Sequence, residues 1–233
     1  MRILALDAAL ARCSAAIVVD GAVLAERQAD GGRGQVAVLP EMLRTVLAAS
    51  GVAAAALDAV GVTVGPGSFT GLRAALALAH GFALAIGRPV VAVTVAEALA
   101  AALPAEPGRT VWTAIDSRRG RVFLDTGAGM GPIDLSALPT ASRRIAVTGD
   151  AAIAVAARLA ARGNDVKLTD ARLPLARWVA TVAAQRLAGL LPPLDPQPLY
   201  VDPPEAKLPA GGLRPAPRQA INVSTADRIT LLP

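Results

Sequence analysis

Four groups of residues in this chain could do chemistry. Asp7 ends the apolar run 3–6, and a carboxylate at a strand end could hold a magnesium–phosphate complex. Gly65-Pro66-Gly67-Ser68 separates a β-branched run from a long apolar stretch, the strand–turn–helix setting in which helix N-termini bind anions. Asp116-Ser117-Arg118-Arg119 is a compact polar turn that could carry an active-site aspartate. Cys13 and His80 are the only cysteine and the only histidine, so a thiol–imidazole dyad would need these two to meet beside an orienting carboxylate.

Each group also has a purely architectural reading. Ala8 and Ala9 follow Asp7, where a phosphate loop needs small flexible residues such as Gly, Ser or Thr. The Gly-Pro-Gly-Ser turn has no P-loop lysine, and Pro66 removes one N–H donor. Its glycines at 65, 67 and 71 equally suit a tight turn against neighbouring backbone. One imidazole leaves a zinc hydrolase short of ligands. Cys13 lies at the start of an apolar strand and reads as a small hydrophobe. Asp and Ser at 116–117 are ordinary turn chemistry. Arg73, one turn into the helix, could pair with Glu97 or Asp116.

The elements that must position these residues follow from local patterns. Residues 3–6 read as a buried strand. Residues 13–19 and 22–27 form a hairpin across Asp20-Gly21, and 29–34 are polar and glycine-rich. From Gln35 the period turns helical, with Val36, Leu39, Leu43, Val46 and Leu47 on one side and Met42 beside them; Pro40 marks a start or a kink, and Gly51 a stop. Val60, Val62, Thr63 and Val64 suit a strand, Ser68 can cap the helix that runs to residue 86, and 90–93 add another strand before a helix capped by Thr94. Pro104, Pro107 and Gly108 separate this lobe, 1–103, from a smaller one at 109–200. The second lobe holds strands at 110–115, 121–125 and 145–148, an irregular stretch at 127–139, and helices at about 151–161 and 175–187. Residues 201–233 form a proline-rich tail with a possible strand at 221–232. Both lobes open with a strand ending in aspartate before a hairpin, at 3–7 and 113–116, which points to a duplicated mixed-sheet architecture with flanking helices.

Composition narrows the function classes. Of 233 residues 54% are hydrophobic, yet only three are Phe, two Trp and one Tyr, so the interior is built from Ala, Val and Leu. One cysteine excludes an internal disulfide and a cysteine-rich zinc site. The net charge of +5 permits contact with an acidic partner or nucleic acid, but the arginines are scattered and no aromatic platform accompanies them. The most apolar stretch, 74–86, is shorter than the about 20 residues that span a bilayer. The N-terminus reaches Asp7 too soon for a secretory signal. A cytoplasmic protein with no membrane segment is expected. The helices 35–49 and 68–86 carry more apolar surface than two thin lobes require, so one side of each could meet another chain.

MRILALDAAL, VGPGSFTGLRAALALAHGFALAIGRPVVAV, AIDSRRGRVF and PLYVDPP resemble, in this order, the bacterial TsaB (YeaZ) family, over the N-terminal lobe and onward to about residue 204. The resemblance implies a two-lobed α/β fold of the actin, Hsp70 and sugar-kinase (ribonuclease H-like) type. It implies a non-catalytic subunit, without cofactor or metal, that binds TsaD. TsaD transfers the threonylcarbamoyl group to adenosine 37 of tRNAs reading codons that begin with adenine. A TsaE-like ATPase joins the pair, a TsaC-like enzyme supplies the adenylate, tRNA is met only through the complex, and a homodimer forms when TsaD is absent. Carried onto this sequence, the interface residues are Leu39, Met42, Leu43, Val46, Phe69, Leu72, Arg73, Leu76 and His80. The chain departs from the family in having Asp7-Ala8 for Asp-Thr, Gly34-Gln35 where a histidine is common, and Gly120-Arg121-Val122-Phe123 for Gly-Glu-Val-Tyr. The alternatives are a metalloprotease-like hydrolase, which needs a metal cluster, and a small-molecule kinase, for which Gly149-Asp150 would have to serve as the second phosphate loop.

Overall fold

The computed structural model describes residues 1–31, 35–141 and 144–202. The expected tail, with its possible strand at 221–232, lies outside these residues. So do Gly34 and the side chain of Gln35.

Two five-stranded sheets carry the chain. The first is built from β1 (Arg2–Asp7), β2 (Arg12–Val19), β3 (Ala22–Asp30), β4 (Ala59–Gly65) and β5 (Val90–Thr94), in the order β3-β2-β1-β4-β5. The second uses β6 (Arg109–Asp116), β7 (Val122–Asp125), β8 (Met130–Ile133), β9 (Arg144–Thr148) and β10 (Val166–Leu168), in the order β10-β9-β6-β7-β8. Strand for strand the two sheets match. In each, the first three strands form an antiparallel meander, and the remaining two run parallel to the first. This repeated mixed sheet with flanking helices is the actin/Hsp70/sugar-kinase-like fold.

Local chemistry explains most of the first lobe. At the β2–β3 turn both Asp20 (φ 48°) and Gly21 (φ 83°) are left-handed, as a two-residue hairpin loop with the strand twist requires. β4 is buried along its whole length, the mark of a central parallel strand covered on both faces. Alternation assigns Leu4, Leu6, Val60 and Val62 to one face, beneath α1 (Leu39–Ser50) and α2 (Phe69–Ile86). Ile3, Ala5, Ala59 and Val91 face the other way. Pro40 sits in the first turn of α1, where its missing N–H costs nothing.

Several expectations need correction. Residues 127–139 are not irregular throughout: β8 pairs with β7, and Pro132 is tolerated because β8 lies at the sheet edge. β10 is a three-residue strand with no pattern to announce it. The helix α5 (Ala176–Leu187), read as part of the second lobe, packs instead on the first sheet beside α3 (Val95–Ala101). Its Ala176, Ala180 and Ala183 allow a close approach: a Cβ at Gly61 would lie 3.0 Å from that of Ala183. Ser14 Oγ accepts a hydrogen bond from Ala176 N at 2.9 Å, and Arg177 pairs with Glu26, fixing the start of α5 on β2 and β3. Between them α4 (Ala152–Ala161) covers the second sheet.

The apolar stretch around residue 76 is also longer than expected. α2 runs 18 residues and by length and hydropathy could cross a membrane. Here Leu72, Ala75, Leu76, Ala79 and Ala83 are buried in the chain's own core instead.

Candidate protein-docking face

The N-terminus of α2 is packed against the chain's own backbone. Ser68 caps the helix, its Oγ accepting from Gly71 N at 3.2 Å. The turn between β1 and β2 then presses two carbonyls onto it. Ser68 N donates to Ala9 O at 2.7 Å. A Cβ at Gly67 would meet Ala9 O at 2.2 Å, and one at Gly71 would meet Ala8 O at 2.0 Å. These glycines exist so that backbone can approach backbone. Of the N–H groups at this helix start, Ser68 N is taken by the Ala9 carbonyl and Gly71 N by the Ser68 hydroxyl, which leaves fewer donors for an anion.

Asp7 is sealed beneath the same turn. Its Oδ1 accepts from the Thr63 hydroxyl at 2.7 Å and from Ala9 N at 3.2 Å, while Oδ2 has no partner among the described residues. Burial pushes its carboxyl up to about 7, against the lowering effect of those two donors and of Arg12. A fully buried carboxyl group bonded to Thr63 and Ala9 ties β1 to β4 and to the turn that follows.

The second lobe repeats the arrangement. Gly149 (φ 101°) lies against β6, where a Cβ would meet Ala114 O at 2.1 Å, and Ala151 N donates to the same oxygen at 3.1 Å. Asp150 accepts from Asp116 N at 2.8 Å, burial raises its carboxyl, and Arg118 bridges Asp150 and Asp116 at 3.2 Å each. The polar turn is thus satisfied within itself. Cys13 is buried against the half-buried Met42, its Sγ 3.9 Å from Sδ, and His80 is bonded elsewhere, so no dyad forms. Among the described residues no three His, Cys, Asp or Glu side chains come together as a metal-binding group.

What remains open is the outer side of α2. Three stripes run along this helix. The innermost faces the sheet; Leu78, Phe82 and Ile86 flank it, half-buried. The outermost, Phe69, Arg73, Ala77, His80 and Leu84, is exposed, with Leu84 85% and Phe69 57% accessible. This corrects five of the nine expected interface residues. Leu39, Leu43, Val46, Leu72 and Leu76 belong to the chain's own core, because the most apolar stripe of each helix goes to the sheet. Phe69, Arg73 and His80 do lie on the exposed stripe.

A segment that sequence reasoning left unassigned to any site crosses this stripe. Residues 194–202 run back over α2, with Leu194 and Leu199 packed against the core and Leu199 N donating to Val64 O at 2.7 Å. His80 Nε2 donates to Pro196 O at 3.0 Å, which sets its tautomer, and Arg73 Nε donates to the Tyr200 hydroxyl at 3.1 Å. Arg73 therefore pairs with neither Glu97 nor Asp116; Glu97 is bonded to Arg186. Arg121 holds Asp202 at 3.0 Å, tying the end of the segment to the turn just before β7.

The family model described as "TsaD: tRNA N6-adenosine threonylcarbamoyltransferase" matches residues 30–162, more than half of the chain. The Escherichia coli protein named "tRNA threonylcarbamoyladenosine biosynthesis protein TsaB" is 36% identical over 124 residues, 53% of this chain and 53% of that protein. Its Haemophilus influenzae namesake is 32% identical over 125 residues, 53% and 52% of the two chains. The chain thus spans about half the length of the curated relatives it matches. The solved structure "YeaZ from Pseudomonas aeruginosa" is 25% identical and superimposes with a TM-score of 0.72 over 85% of this chain and 99% of its own. The chain belongs to the family of that model, in its TsaB (YeaZ) branch.

Proposed function

We propose that this chain is a non-catalytic subunit that binds a TsaD-like partner and supports transfer of the threonylcarbamoyl group to N6 of adenosine 37 in tRNAs reading codons that begin with adenine. The observation that carries this reading is the contrast along α2. Its N-terminus, the feature closest to a phosphate site, is packed against the Ala8 and Ala9 carbonyls, whereas its outer stripe holds an apolar side chain as exposed as Leu84. An exposed stripe that carries Phe69 and Leu84 on a capped, well-packed helix fits another protein. The description of the matching family model and the printed names of the relatives support a TsaD-like subunit as that protein and threonylcarbamoyladenosine formation as the pathway.

In this reading a TsaE-like ATPase joins the pair, a second copy of the chain occupies the face when the TsaD-like subunit is absent, tRNA is met only through the complex, and the assembly works in the cytoplasm. No cofactor is required of this subunit. The kinase and hydrolase alternatives gain no support from the geometry. Both phosphate-type turns are packed against the chain's own carbonyls.

The experiment is co-purification with the TsaD-like subunit. Leu84→Glu places a charge on the exposed stripe and is expected to reduce binding by at least about tenfold with an unchanged melting temperature. Leu76→Glu places a charge in the core and is expected to cost about 3 kcal/mol or more of stability. Retained binding by a folded Leu84→Glu chain would show that the docking face lies elsewhere.

A further inference from the structure

We infer that segment 194–202 is part of the docking surface, with Tyr200 as the residue that positions Arg73 for a carboxylate on the TsaD-like partner; the inference rests on the reading of α2 as a docking helix. The observation is a small preassembled cluster. The Arg73 guanidinium carbon lies 3.6 Å from the centre of the Phe69 ring, its Nε donates to the Tyr200 hydroxyl, and the two rings are 6.2 Å apart. Phe69 is 57% and Tyr200 51% exposed. Two of the six aromatic residues in the chain are thus gathered on one surface around a cation.

The cluster is held from behind. Leu199 N bonds to Val64 O, His80 to Pro196 O, and Arg121 to Asp202, so Tyr200 stands between fixed points. Stacked on one ring and bonded through Nε to the other, the guanidinium has little rotamer freedom left to lose on binding. Its two Nη groups make no hydrogen bond among the described residues and form a fork that fits a carboxylate. Exposed Tyr and Arg fixed in this way are the side chains that dominate protein interfaces.

The charge selects the occupant. α2 itself contains no Asp or Glu, and Glu41 of α1 is already held by Arg44. Two copies of a chain with net charge +5 meet with like charge, so a second copy holds this face less tightly than a partner bearing a carboxylate, and only in that partner's absence. A different polypeptide with an apolar helix face and a carboxylate within it answers both the stripe and the fork. The segment's own Asp195, exposed next to Pro196, is the carboxylate a second copy could offer.

The test is isothermal titration of the full chain with the TsaD-like subunit, using wild type, Tyr200→Phe, Arg73→Met, the double variant and Asp195→Asn. All three positions are exposed, and unchanged melting curves confirm folding. Arg73→Met is expected to weaken binding about thirtyfold and to flatten its salt dependence, and Tyr200→Phe about fivefold. In the Arg73→Met background Tyr200→Phe is expected to have no further effect, the signature of a residue acting through Arg73. Unchanged affinity for either single variant, or additive losses in the double, overturns the inference and leaves the docking reading standing. No binding by the wild-type chain overturns the docking reading itself. A homodimer of the chain weakened by both Arg73→Met and Asp195→Asn would assign the fork to a second copy and overturn the proposed occupant.

Discussion

Replacing Gly71 by alanine is expected to lower stability by about 3 kcal/mol or more, roughly 10 °C in melting temperature for a chain of this size. The alanine Cβ would stand 2.0 Å from Ala8 O, which is backbone and cannot rotate away. Either the β1–β2 turn lifts off α2 or the helix shifts on β4. Both loosen contacts in the core of the first lobe, including the Ser68 N–Ala9 O bond. Gly81→Ala is the matched control, since a Cβ there meets nothing within 4 Å and alanine favours a helix. Thermal melts of the two variants should move in opposite directions or leave the control unmoved. Equal, small changes would show that the Ala8 and Ala9 carbonyls are not pressed against the helix, and would reopen its N-terminus to an anion.

Asp7→Asn is expected to change how stability depends on pH. In the folded chain Asp7 keeps its proton up to about 7, against about 3.9 when exposed, which corresponds to roughly 4 kcal/mol at most. The folded state therefore binds more protons than the unfolded state between these values. Stability from this group is fully present below about pH 4 and is lost as the pH rises through 7. Asparagine preserves the acceptor for Thr63 and Ala9 but does not titrate. Urea unfolding should find the variant more stable than wild type at pH 8. The order should reverse near pH 4, because the amide brings a second buried donor where Oδ2 has no partner among the described residues. Asp150, whose carboxyl is also raised by burial, contributes a slope of the same sign that persists in the variant. An unchanged difference between pH 4 and pH 8 would mean that Asp7 is ionised, and so open to solvent or a cation.

Much of the first lobe was legible because single residues dictate their backbone. Asp20-Gly21 can close a hairpin, Ser68 can cap a helix, and the Val-rich run at 60–64 belongs in a central strand. The second lobe was harder to read. Pro132 argues against a strand unless that strand is known to lie at an edge, and edges are set by pairing with distant residues. The placement of α5 on the first sheet depends on contacts such as Ala183 with Gly61, which no local pattern encodes.

The docking face shows a different limit. Periodicity finds the apolar stripe of a helix, and the apolar stripe is the one the sheet claims. The stripe left for a partner is mixed, with Arg73, Ala77 and His80 between Phe69 and Leu84, and so carries a weaker pattern. Of the expected interface residues, those chosen for hydrophobicity on the inner stripe were buried, whereas Phe69, Arg73 and His80 fell on the outer one. Tyr200 had only the motif PLYVDPP to mark it. The packing of the helix N-terminus left no sequence signal beyond the glycines, because the atoms pressed against it are main-chain carbonyls.

The central claim is that this chain acts through contact with a TsaD-like subunit. It is tested most directly by reconstituting threonylcarbamoyl transfer to tRNA with the TsaD-like and TsaE-like proteins and a source of threonylcarbamoyl-adenylate, with and without this chain. Modified tRNA is expected with the wild-type chain, and little or none without it or with Leu84→Glu. Equal modification in its absence would contradict the account.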